Sequence, residues 1–163
     1  MPMANIRGAN LNYKVLGDHG PWVALSPGGR RDISGIEHQA QELANLGHRV
    51  VILDRRNCGA SDVVIDGNES EYEIWADDVH ALLAELGALP AFVGGSSSGC
   101  RTALLFALRH SDSVLGLLLW RAFGVAPQLL PLSPGALDAL PLLLEDAAQT
   151  PRFRGAAFGA LLC

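Results

Sequence analysis

Val93-Gly94-Gly95-Ser96-Ser97-Ser98-Gly99-Cys100 is the stretch from which the fold of this chain can be read. It follows a short apolar run, Leu89-Pro90-Ala91-Phe92-Val93, and precedes a longer one from Thr102 to Leu108. That order predicts a strand, a sharp turn and a helix. Gly95, Ser97 and Gly99 fill the fixed positions of a Gly-x-Ser-x-Gly turn, which holds a serine hydroxyl clear of its strand. The glycines are needed sterically, because the flanking backbones can pack this tightly only without Cβ atoms. The helix then aims its first N–H groups at the serine, a setting that favours developing negative charge.

Other readings of the same residues are a Gly/Ser-rich surface turn and a phosphate loop. Gly94 and Gly99 have phosphate-loop spacing, but Cys100 and Arg101 stand where that loop needs Lys and Ser/Thr. A dinucleotide Gly-x-Gly-x-x-Gly does not fit, since Ser96 or Ser97 falls at its second glycine.

Working outward, apolar runs predict strands at Leu11–Leu16, Trp22–Ser26, Arg49–Leu53, Ala91–Gly94 and Val114–Trp120. Ser34-x-x-Glu37 and Ser70-x-x-Glu73 read as capping boxes opening two helices. The first helix carries Ile36, Ala40, Leu43 and Ala44 at helical spacing and ends near Gly47. The second carries the stripe Trp75, Val79, Leu82, Leu83 and Leu86, read as core and not as a cofactor site. Alternation of strands and helices predicts an α/β protein: a mostly parallel sheet with helices on both faces. A hairpin-like connection at Gly17–Pro21 is expected to make one edge antiparallel.

In such sheets ligands bind beyond the carboxyl ends of the strands. Pro27-Gly28-Gly29-Arg30, the loop from Asp54 to Asp62, and the Ser97 turn all fall at that end. Asp54 and Arg56 are expected to brace their loop through side-chain-to-backbone bonds, without a chemical role. Residues 1–121 read as the core. Residues 122–163 form a Pro/Leu-rich tail, holding five of the nine prolines and one candidate helix, Leu137–Ala148, bent at Pro141.

The 163 residues suffice for one domain, and 49% hydrophobic against 18% charged content describes a buried core. A net charge of -5 argues against nucleic acid and anionic membrane surfaces as partners. No run approaches the about 20 apolar residues of a membrane helix. Cys58, Cys100 and Cys163 have no metal or redox spacing. The expectation is a cytoplasmic protein with a small-molecule substrate and neither metal nor cofactor.

Taken together, three pieces make the chain resemble the α/β-hydrolase superfamily: Leu25-Ser26-Pro27-Gly28-Gly29, Asp54-x-Arg56-Asn57-x-Gly59-x-Ser61 and Gly95-x-Ser97-x-Gly99. The resemblance covers roughly residues 11–120, with the esterases, carbon–carbon bond hydrolases, haloalkane dehalogenases and cofactor-free haloperoxidases as the most similar group. It implies acyl transfer to water on a small ester-like or carbonyl substrate. Ser97 would be the nucleophile, and the N–H groups of Gly29 and Ser98 the oxyanion hole. Dehalogenases usually carry Asp at the nucleophile position, so Ser97 points to acyl chemistry.

The departures are Pro27 where the family usually has His, Asn57 where it usually has Gly, and the end of the chain. Family members place the triad acid and histidine beyond a cap region, whereas this sequence stops at Cys163. The expectation is a hydrolase-like chain truncated after the sixth strand, its tail a cap remnant or the product of an altered reading frame. A non-catalytic protein is the alternative function. Of the five histidines, His19, His48 and His110 are expected at the far end of the sheet, and His80 in mid-helix. His38 is the nearest to the loop and reads as a surface helix residue.

Overall fold

A computed structural model describes residues 2–65, 67 and 69–120. The tail 122–163 and the candidate helix Leu137–Ala148 lie outside the described residues. Six strands form one sheet: β1 (Met3–Ile6), β2 (Ala9–Leu16), β3 (Trp22–Ser26), β4 (Arg49–Leu53), β5 (Ala91–Ser96) and β6 (Val114–Trp120), in the order β1-β2-β4-β3-β5-β6. From β4 to β6 every neighbouring pair is parallel; β1–β2 and β2–β4 are antiparallel. Three helices connect the strands: α1 (Glu37–Asn45), α2 (Glu71–Glu85) and α3 (Ser98–Arg109).

The period-2 alternation of the strands sends residues to two cores. Val23, Leu25, Val50, Ile52 and Leu118 pack with Ile36, Ala40 and Leu43 of the α1 region. Ala24, Val51, Leu53, Val93, Leu117 and Leu119 pack with α2 and α3 through Val79, Leu83, Ala103 and Phe106. Both sheet faces are therefore covered, as continuous apolar strands require.

Two expectations need correction. The Gly17–Pro21 connection is no hairpin, since β2 pairs with β4 and not with β3. The turn passes over the start of β4 so closely that a Cβ on Gly17 would lie 2.1 Å from the His48 carbonyl oxygen, and one on Gly20 1.9 Å from that of Gly47. Nor does Ser34 cap α1. Asp32 accepts from the Ser34 N–H at 3.0 Å to open a short 3₁₀ turn, Ile33–Gly35, and α1 starts after it without a side-chain cap. The Ser34 hydroxyl is engaged as a donor to the same Asp32 carboxylate.

The capping box at α2 forms, with the Glu73 carboxylate accepting from the Ser70 N–H at 3.1 Å. Strand β1, not expected from sequence, is a four-residue edge joined to β2 by Arg7 and Gly8, both at positive φ. That two-residue turn matches the twist of a hairpin. Among the described residues, no helix is long and apolar enough to cross a membrane, and Cys58 and Cys100 are buried free thiols.

Candidate active site

The parallel strands end together. Ser96 of β5 pairs with Trp120 of β6, and Ser26 of β3 with Gly95. Beyond these ends lie the three loops singled out in the sequence.

Ser97 links β5 to α3 with φ 53 and ψ -116. A non-glycine residue at positive φ stores of order 1–3 kcal/mol of strain. Two fixtures hold it there. The Ser97 N–H donates to the Trp120 carbonyl at 2.8 Å, and its carbonyl accepts from the Cys100 N–H at 3.0 Å. The glycines on either side are sterically required. A Cβ on Gly95 would lie 2.6 Å from the Ser26 carbonyl oxygen, and one on Gly99 2.3 Å from the same atom. Gly28 faces the serine itself: a Cβ there would come within 3.2 Å of Ser97 Cβ. Ser97, Gly28 and Gly29 thus occupy one place.

Ser98 is the first residue of α3, so its N–H has no acceptor within the helix. Gly29 sits at φ 56. The Ser98 hydroxyl donates to the Gly29 carbonyl at 3.5 Å. Cys100 is no rival nucleophile: burial pushes its thiol up to about 11, and Sγ donates to the Gly95 carbonyl at 3.1 Å.

Asp54 braces the site from the start of the loop after β4. It is buried, and its carboxylate accepts from the Ile33 N–H at 2.7 Å, the Ala60 N–H at 2.8 Å and Asn12 Nδ2 at 2.8 Å. One side chain therefore ties its own loop to the segment after Gly29 and to β2. Arg56 braces differently from the expectation. Its guanidinium pairs with Asp78 of α2 at 2.9 and 3.0 Å, and it reaches backbone only at the Ile6 and Arg7 carbonyls. Burial raises the Asp78 carboxyl above its usual range, against the pull of Arg56 and Arg7. Asn57 adopts the left-handed conformation at φ 66, as its tolerance of that region allows. Its amide adds bonds a glycine lacks, to the Val64 N–H at 2.7 Å and to Glu71 at 3.2 Å.

Sequence reading missed Asp78 and Arg55. Asp78 carried a signal: it lies on the apolar stripe of α2, three residues after Trp75 and four before Leu82, where an acid requires a buried partner. Arg55 is buried as well, and donates to the Gly29 carbonyl while stacking 4.3 Å above the Trp75 ring.

No histidine among the described residues is placed to serve Ser97 by these contacts. His110 bonds Asp77 at 2.8 Å and stacks on His80 at 3.9 Å, and His80 meets Ser113 at 3.2 Å. That cluster adjoins the start of β6, the end of the sheet remote from Ser97. His19 pairs with Asp18 in the turn before β3, and His48 precedes β4. His38 is exposed on the first turn of α1.

Residues 27–161 match the family model described as the alpha/beta hydrolase fold. The chain is 38% identical over 109 residues to the Bacillus subtilis (strain 168) protein named uncharacterized hydrolase YraK, covering 67% of this chain and 40% of that one. It is 35% identical over 125 residues to the bifunctional esterase/perhydrolase DCH of Acinetobacter calcoaceticus, covering 75% of this chain and 44% of that protein. Among solved structures, a thermophilic esterase from Thermogutta terrifontis superposes with a TM-score of 0.68 at 28% identity, over 92% of this chain and 54% of that one. The chain spans about two fifths of the length of these two curated relatives.

Proposed function

This chain belongs to the alpha/beta hydrolase fold family, and on that premise we propose that Ser97 is the nucleophile of a hydrolase transferring an acyl group to water. The substrate is a small ester-like or carbonyl compound. The strained backbone of Ser97 between β5 and α3 carries this reading. Ser97 Oγ forms the bond to the carbonyl carbon while its proton passes to a base. The carbonyl π electrons move onto oxygen, where the N–H groups of Gly29 and Ser98 receive the charge. Collapse expels the alkoxide, which leaves as the alcohol with the proton held by the base; water then attacks the acyl carbon, releasing the acid and restoring the Ser97 hydroxyl. None of these steps calls for a metal or cofactor. The sparse cysteines support a reducing, cytoplasmic setting.

A fluorophosphonate tests the nucleophile. With no histidine base in reach among the described residues, addition is expected to be slow, to fall at Ser97 by peptide mapping, and to be absent in Ser97→Ala. Adducts spread over Ser96 and Ser98 would refute the assignment.

One observation favours a second reading, a hydrolase-like protein without turnover: the histidine placements described above leave Ser97 without a base among the described residues. Turnover of a p-nitrophenyl ester separates the two. Ser97-dependent turnover supports the hydrolase; equal rates in the protein and in Ser97→Ala support the second reading.

A further inference from the structure

We propose that Arg55 is a positioning residue for the oxyanion donor of Gly29: it holds the Gly29–Arg30 peptide through the Gly29 carbonyl and so restrains the preceding peptide, which carries the N–H. For its chemical meaning this rests on the Ser97 reading. Three loops meet at the Gly29 carbonyl oxygen: it belongs to the loop after β3, accepts from Arg55 of the loop after β4, and accepts from Ser98 at the start of α3. Gly29 at φ 56 has no Cβ to restrict it, so its orientation must come from outside.

The guanidinium suits this task. Arg55 is 1% exposed, and its Nε and Nη1 have no hydrogen-bond partner among the described residues. The one acceptor it engages is the Gly29 carbonyl. Trp75 lies under the guanidinium and is held in turn by its Nε1–H, which donates to the Arg56 carbonyl at 2.8 Å. The stack fixes the plane of the cation, and the plane fixes the direction of its donor. Burying a cation with so few acceptors is costly. A packing role alone would be met by an apolar side chain of similar length.

The neighbouring residue is anchored separately, by Arg30 pairing with Glu71 at 2.6 Å on the rim. That pair is exposed enough to be weak. The buried contact of Arg55 therefore dominates the orientation of Gly29.

The test compares Arg55→Met, which keeps the length and loses the donors, with Arg55→Lys, which keeps a cationic donor. The readouts are the Gly29 carbonyl ¹³C resonance, the rate of fluorophosphonate addition at Ser97, and the unfolding midpoint. In Arg55→Met the resonance is expected to move upfield. The addition rate should fall about a hundredfold, the scale expected when a catalytic group is misplaced by about 1 Å. Arg55→Lys should recover part of both, even where the two variants unfold at the same midpoint. An unmoved resonance, or a wild-type addition rate in Arg55→Met, would overturn the proposal. So would losses in both variants that only follow their unfolding midpoints. If Ser97→Ala is labelled like the unaltered protein, the nucleophile reading fails, and the Gly29 resonance still decides whether Arg55 holds the loop.

Discussion

A Cβ on Gly99 would stand 2.3 Å from the carbonyl oxygen of Ser26, so the first turn of α3 rests on the end of β3 with no space for a side chain. Both partners are backbone, and neither can give way without moving its element. Gly99→Ala is expected to lower stability by about 1–3 kcal/mol, the usual cost of overpacking. It should also abolish labelling of Ser97 by a fluorophosphonate. Urea unfolding and intact-mass analysis of the same variant measure the two effects.

Asp54 is scaffold in our reading, because its carboxylate accepts from Ile33, Ala60 and Asn12. Asp54→Asn replaces one acceptor oxygen by an NH2 donor that faces other donors, and should cost about 2 kcal/mol or more. Unchanged stability with loss of Ser97 reactivity would mean that Asp54 takes part in the chemistry instead.

On the second reading, that of a hydrolase-like protein without turnover, the 163-residue chain turns over a p-nitrophenyl ester at close to the background rate. A serine hydroxyl is a poor nucleophile until a positioned base accepts its proton, and the contacts of the histidines lead away from Ser97. In a well-studied serine protease, loss of the base costs about a million-fold in turnover, leaving roughly a thousand-fold over water. Robust turnover that disappears in Ser97→Ala would make His38 or a partner chain the base to look for.

Stability should fall at acid pH through Asp77. Hydrogen bonds from Arg109, and then from His110, hold its carboxyl at about 2, below the ordinary 3.8, with burial opposing them. A carboxyl depressed by folding stabilises above its unfolded value and loses that contribution as pH falls through the folded one. The window is therefore about pH 4 to 2, and the contribution roughly 2 kcal/mol. Asp77→Asn is expected to flatten the stability curve there, measured by urea unfolding at stepped pH.

The elements legible in the sequence were those whose cause is local. Continuous apolar runs marked β3, β4 and β6, and Ser70 with Glu73 marked the start of α2. The two glycines around Ser97 marked its strained turn, since a backbone demand of that kind leaves its trace at fixed spacing. β1 left little trace, since four residues at an edge bury only alternate side chains. Ser34 was misread as the cap of α1 because the Ser-x-x-Glu spacing is silent on the folded loop, where the Ser34 hydroxyl donates to Asp32 and α1 starts without a side-chain cap.

The sequence by itself determined that this is an α/β chain with a Gly-x-Ser-x-Gly turn at the carboxyl end of its sheet. It also determined that the loops after β3 and β4 lie at the same end of the sheet as that turn, because crossover helices return successive parallel strands in one direction. Tertiary structure alone decided that β2 pairs with β4, that Arg56 finds Asp78, and that Arg55 ends on the carbonyl of Gly29. These partners are 22 to 40 residues apart. A buried charge is placed by whatever acceptor the packed elements bring within reach, and no local pattern encodes that.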